Sequence, residues 1–146
     1  MDALLWGLML KLFDDWFDFM SPETVRVMLV DDNEMVRMSM AVFLETCDDL
    51  ELVAEAENGQ QAVALCDTVQ PDVVLMDLIM PGMDGVAATH IIRRDHPEIR
   101  VVVLTSTVDP LMVDAALTAG ADACLYKNAG VDEMATTIRA VAGSDE

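Results

Sequence analysis

From Val25 onward the chain alternates between two kinds of apolar pattern, and this alternation constrains its fold more than any other feature. Short apolar runs suited to buried strands stand at VRVMLV (25–30), ELVAEA (51–56), VVLMD (73–77), VVVLT (101–105) and ACLY (123–126). Between them, over about 34–47, 60–69, 85–94, 110–119 and 132–142, apolar residues recur at helical spacing. Turn signals at Asn58-Gly59, Pro71, Pro81-Gly82, Pro97 and Gly120 separate the two kinds. Five strands alternating with five helices predict an α/β fold, a doubly wound parallel sheet covered on both faces. In such sheets ligands bind beyond the carboxyl ends of the strands, near the point where strand order reverses.

The polar residues at those strand ends are therefore the ones to read for chemistry. The first strand ends in Asp31-Asp32, the third in Asp77 and the fourth in Thr105, while the fifth is followed by Lys127. A single strand-end aspartate is as often structural as functional; four such ends converging on one edge form the strongest signal in the chain. Clustered aspartates repel one another unless a cation sits among them. An oxygen-only, carboxylate-rich site suits Mg²⁺, which binds through one or two carboxylates and a phosphate oxygen. Lys127 adds a point charge and Thr105 a hydroxyl donor, so that the set could receive a phosphoryl group. Asp77, in the middle, is the expected nucleophile, because an aspartate can form an acyl phosphate.

Size and charge exclude other readings. The 146 residues, 53% of them hydrophobic, are enough for one domain with one core. The formal net charge of −19, with Lys11 and Lys127 the only lysines, makes nucleic-acid contact by this chain itself unexpected. The acidity serves solubility, or marks a salt-adapted source. Cys47, Cys66 and Cys124 are odd in number and set among apolar residues, as small core residues of a reducing, cytoplasmic compartment would be. His90 and His96 have no partners at metal-ligand spacing and read as surface residues. An aspartyl-phosphate hydrolase of the haloacid-dehalogenase type needs an acid two places after its nucleophile. Ile79 stands there, which disfavours turnover, and no GxxxxGK loop offers a nucleotide site.

The phrases VDDNEMVR, AENGQQAV, PDVVLMDLIMPGMDG, VVVLTS and AGADACLYK resemble response-regulator receiver domains, the NarL/LuxR-type branch in particular. The resemblance covers about Val25 to Gly143, within a domain expected over 23–146. It implies a flavodoxin-like strand order 2-1-3-4-5 and phosphorylation of Asp77 by a partner sensor histidine kinase. It further implies Mg²⁺ held by Asp32, Asp77 and the backbone carbonyl of Ile79, with Asp31 acting largely through water. Lys127 would pair with the phosphoryl group, and the Thr105 hydroxyl would move to bond it. Some positions depart from the family pattern. Cys124 stands three before the lysine, where an aromatic switch residue is expected; Tyr126, one before it, is expected to point to the other face of the strand. Asn128 replaces the usual proline after the lysine. Ile79 and Thr107 offer little to orient a water, so a long-lived phosphoryl group is expected. NarL-type regulators continue into a helix-turn-helix domain, so the chain reads as a stand-alone receiver or as a regulatory half. The competing reading is a vestigial receiver acting as a protein-interaction module through the N-terminal helix.

The opening residues, MDALLWGLMLKLFDDWFDFM, lie outside that pattern. On a helix, Gly7, Lys11, Asp14, Asp15 and Asp18 fall on one narrow stripe, and most of the remainder is apolar. Asp2 stands at an N-cap position and Ser21-Pro22 closes the segment. The stretch (an extension and linker over 1–22) is too short and interrupted to span a bilayer and lacks the basic start of a signal peptide. Its net charge of −3 opposes binding to anionic membranes. Its apolar face is expected to pack on its own domain, in a partner's groove, or on a second copy in a homodimer; alternatively, Met20 is the natural start.

Overall fold

The computed structural model describes residues 2–20, 24–106 and 109–143. A helix α1 (Ala3–Met20) precedes five βα units: β1 (Val25–Val30), α2 (Glu34–Glu45), β2 (Leu50–Ala56), α3 (Gly59–Val69), β3 (Val73–Asp77), α4 (Gly85–Asp95), β4 (Arg100–Thr105), α5 (Pro110–Ala119), β5 (Ala123–Tyr126) and α6 (Val131–Ala142). The strands form one parallel sheet in the order β2-β1-β3-β4-β5, as expected. Each expected strand and helix is present within a residue or two of its expected bounds. The first helix of the units stops at Glu45 rather than near 47, because the Thr46 and Cys47 amides turn back to the Phe43 and Leu44 carbonyls.

Alternation along the strands divides the core into two layers. On one face Met28, Val30, Val74, Met76, Val101 and Val103 pack beneath α3, α4 and α5, through Ala62, Cys66, Ala88, Ile92 and Ala116. On the other, Val27, Leu29, Leu75, Val102 and Leu104 pack beneath α2 and α6, through Leu44, Met134, Ala135 and Ile138. The central strand β3 is buried along its whole length, and that burial places its last residue, Asp77, under the carboxyl edge of the sheet. Every strand points the same way, so the ends of β1, β3, β4 and β5 share that edge.

Two peripheral expectations change. His96 is not a plain surface residue: its side chain is 16% exposed, and its Nε2 lies 2.6 Å from Asp67 Oδ1, tying the end of α4 to α3. Of the alternatives open for the apolar face of α1, packing on its own domain is not seen among the described residues. Asp2 does cap the helix, accepting from the Leu4 amide at 2.7 Å. Yet Leu4, Leu5, Trp6, Leu8, Met9, Leu10, Leu12, Phe13 and Trp16 are all between 46% and 84% exposed, and α1 makes no extended contact with the sheet or its helices. Ser21 and Pro22 lie outside the described residues.

Candidate functional site

The sheet edge brings together the acids and the lysine named above. Carboxylate oxygens of Asp31, Asp32 and Asp77 lie within 4.8 Å of one another. Lys127 Nζ stands 3.0 Å from Asp31 Oδ2 and 3.2 Å from Asp77 Oδ2, bridging the two buried carboxylates. Asp31 and Asp77 are only 5% and 3% exposed, whereas Asp32 is open to solvent.

Local structure fixes each group. The Asn33 amide donates to Asp31 Oδ1 at 2.8 Å, and Asn33 itself caps α2 by accepting from the Val36 amide. The Ile79 amide donates to Asp77 Oδ1 at 3.3 Å; Ile79's own side chain projects outward, 55% exposed. The Leu78 amide donates to Leu104 O and the Gly85 amide to Leu78 O, so the loop after β3 folds tightly back on the strand. Gly85 is required by that fold: a Cβ on it would stand 2.1 Å from the Asp77 carbonyl oxygen. Lys127 is positioned by its amide, which donates to Thr105 O at 2.9 Å.

Electrostatics follow from this geometry. Burial pushes the Asp77 carboxyl above its usual range, and the charge of Asp31 adds to the effect; Lys127 and the Ile79 amide oppose it. Burial works against the Lys127 ammonium, but its bond to Asp31 and the charges of Asp77 and Asp31 outweigh that, raising its proton affinity. Three carboxylates facing one ammonium leave net negative charge on an all-oxygen donor set. Such a set fits a hard divalent cation, and Asp31, Asp32 and Asp77 are the residues that could hold it.

Thr105 is 1% exposed, at the end of β4 and opposite Tyr126 in the ladder. A recess of about 560 Å³ opens between Thr105, Ser106, Tyr126, Lys127 and Asn128. The expected orientation of Tyr126 is corrected here. Cys124 and Tyr126 are two residues apart, and strand periodicity sends both to one face. Cys124 packs on the core beneath α5, while Tyr126, at the strand's last position, stands half exposed at the recess beside Thr105. Thr107 lies outside the described residues.

Arg37 was missed in the sequence. It is nearly buried, and its Nη1 donates to the Asp31 carbonyl at 2.5 Å while its guanidinium lies 3.5 Å from Glu55 and 3.8 Å from Glu57. It therefore locks the end of β1 against β2. Its signal was a lone arginine one and a half turns past the acid pair, on the inward face of a helix. The opposite end of the sheet also has a recess, lined by Asp72, Arg100 and Arg139, but Arg139 is engaged by Asp49 and Arg100 by Asp122.

Residues 27–139 match the family model described as the response regulator receiver domain. Over 116 residues, 80% of this chain, it is 46% identical to the transcriptional regulatory protein LiaR of Bacillus subtilis and 41% identical to the response regulator protein VraR of Staphylococcus aureus. It covers 55% and 56% of those proteins, so the chain spans about half the length of the curated relatives it matches. The signal receiver domain of the putative response regulator NarL from Mycobacterium tuberculosis superposes with a TM-score of 0.81 at 31% identity, covering 85% of this chain and 100% of that one. The match runs from the middle of β1 into the last turn of α6, across the whole sheet and the edge where the acids meet. The chain belongs to the response regulator receiver domains of two-component systems, in their NarL/LuxR-type branch.

Proposed function

We propose that this domain is a phosphoacceptor switch that takes a phosphoryl group on Asp77 from a phosphohistidine of a sensor kinase. The observation that carries the reading is Lys127 held between Asp31 and Asp77 beside an exposed third carboxylate, an arrangement already neutralised in part and open on one side. In the transfer, a lone pair on an Asp77 carboxylate oxygen forms the new O–P bond. The P–N bond breaks, its electrons stay on the imidazole nitrogen, and that nitrogen takes a proton from water. Mg²⁺, when bound by Asp31, Asp32, Asp77 and the Ile79 carbonyl, supplies charge neutralisation for the acids and the incoming phosphoryl oxygens.

The chain's own residues do the rest. Lys127 is within reach of Asp77 and exchanges a carboxylate contact for a phosphoryl one. Thr105 donates its hydroxyl to a phosphoryl oxygen, drawing the end of β4 and the loop before α5 toward the site. Tyr126, opposite Thr105 in the ladder, takes the part of the aromatic reporter that Cys124 cannot fill, moving its ring into the recess as Thr105 shifts. The result is a population shift between two surfaces, driven by contacts that only the phosphorylated state makes. With no acid at Ile79 to assist hydrolysis, the group persists and the domain acts as a switch, not a turnover enzyme. The boundary between a receiver over 23–146 and a separate leading segment belongs to this reading, as does a cytoplasmic site of action; no helix among the described residues is long and apolar enough to cross a membrane. LiaR is named a transcriptional regulatory protein, and by analogy the switched surface regulates transcription through a further domain or a partner.

Intact mass after incubation with acetyl phosphate and Mg²⁺ tests the reading. One added phosphoryl group on the wild type and none on Asp77→Ala is the expected result. An unmodified wild type would defeat it.

A further inference from the structure

We infer that α1 is a self-association element, and that its apolar face is covered by α1 of other copies of this chain. The acid site plays no part in the argument. Side chains at the centre of the face, Leu5, Met9, Leu12 and Trp16, are 46% to 60% exposed, and among the described residues α1 makes no extended contact with the sheet or its helices. Contiguous apolar surface on this scale marks an interface.

Area, charge and shape select the occupant. Nine apolar side chains along α1 are each about half exposed or more. At roughly 100 Å² apiece, on the scale where an aromatic ring buries about 150–250 Å² in full, they present on the order of 900 Å² per helix. Two copies burying two thirds of that reach about 1,200 Å² in total, the lower bound of a specific, stable interface. Charge then sets the orientation. Residues 3–10 carry no charge, while Asp14, Asp15 and Asp18 crowd the second half around a single Lys11. Parallel pairing would set six carboxylates side by side; antiparallel pairing puts them at opposite ends, each acidic half beside a neutral one. The same acids disfavour an anionic lipid surface. Finally, the apolar arc spans roughly 220° at ~100° per residue, wider than one partner helix covers. Antiparallel pairs therefore pack again, pair on pair, as in a four-helix bundle, which also closes the assembly.

Light scattering on the full chain, without phosphodonor and across a dilution series, tests this. The expected mass is two to four times the 16.0 kDa of one chain, falling to 16.0 kDa in the double variant Met9→Asp/Trp16→Asp. Because α1 stands apart from the core, that variant should keep the wild-type thermal midpoint of the sheet, which is measured alongside. Asp15→Lys, on the solvent stripe, should keep the larger mass. A wild type that stays at 16.0 kDa overturns the inference. So does an oligomer that survives in the double variant, which would place the interface elsewhere. A monomer that cosediments with phosphatidylcholine vesicles would overturn it in favour of a lipid surface.

Discussion

Replacing Lys127 with methionine removes the ammonium from between two buried carboxylates while keeping most of its stem. At an effective dielectric of about 20, each of its contacts, at 3.0 and 3.2 Å, corresponds to about 5 kcal/mol of Coulomb attraction. On the same scale, carboxylates whose oxygens lie within 4.8 Å repel by at least roughly 3.5 kcal/mol once the cation is gone. Desolvation of the ammonium offsets much of the attraction. Breaking a buried pair from one side typically costs about 3–5 kcal/mol, and the 25% exposure of the Lys127 side chain places this case near the lower end. We expect a loss of about 3 kcal/mol, or ~6–12 °C in midpoint for a domain of this size.

The sign with pH follows from Asp77. Its raised proton affinity in the folded state means that the native chain holds a proton there after the unfolded chain has lost it. Stability from this group is present below the ordinary carboxylate range and is lost as pH rises through the raised value. Lys127→Met raises that value further. The gap to wild type should therefore be small in acid and open as pH climbs to neutrality. Thermal unfolding by circular dichroism, in EDTA and in saturating Mg²⁺, measures it; Mg²⁺ should restore most of the loss by neutralising the same acids. A gap under about 1 kcal/mol in EDTA at neutral pH, or one that Mg²⁺ leaves unchanged, would refute the electrostatic account.

Three further outcomes follow. Asp32→Asn should leave stability within about 0.5 kcal/mol of wild type, since the group is exposed, yet weaken the Mg²⁺-dependent rise in midpoint at least tenfold in concentration; an unchanged Mg²⁺ titration would remove Asp32 from the site. Gly85→Ala sets a Cβ 2.1 Å from the Asp77 carbonyl and should cost at least about 2 kcal/mol in urea unfolding, with slower phosphorylation; wild-type stability would show that the loop yields easily. Thr105→Val should still accept a phosphoryl group but lose the ring movement of Tyr126, which fluorotyrosine NMR follows cleanly because the chain has a single tyrosine. Ring movement that persists in Thr105→Val would uncouple the two residues.

Much of this molecule was legible because its signals are periodic. Unbroken apolar runs such as VVLMD can be buried only in a strand covered on both faces, and the acids that end them are carried to one edge by parallel topology alone. Contacts that depend on direction were harder to read. The spacing of Arg37 places it on the inward face of α2 but does not tell that its guanidinium reaches the Asp31 carbonyl, Glu55 and Glu57. Tyr126 was assigned to the wrong face although a two-residue step from Cys124 keeps a side chain on the same one; its place beside Thr105 needed the register of β4 and β5. The fate of α1 was open for a different reason. A sequence displays an apolar face but not its distance from the core, and the four residues between Met20 and Val25 gave no hint that the helix would stand clear.

The central claim is that a phosphoryl group enters on Asp77 and nowhere else. Reducing the phosphorylated protein with borohydride converts an acyl phosphate to homoserine, and peptide mass mapping then locates it. Homoserine at position 77, formed only when Mg²⁺ accompanied the phosphodonor, is the predicted result. Homoserine at Asp31 or Asp32, or none at all after Mg²⁺-dependent incubation, would contradict the account.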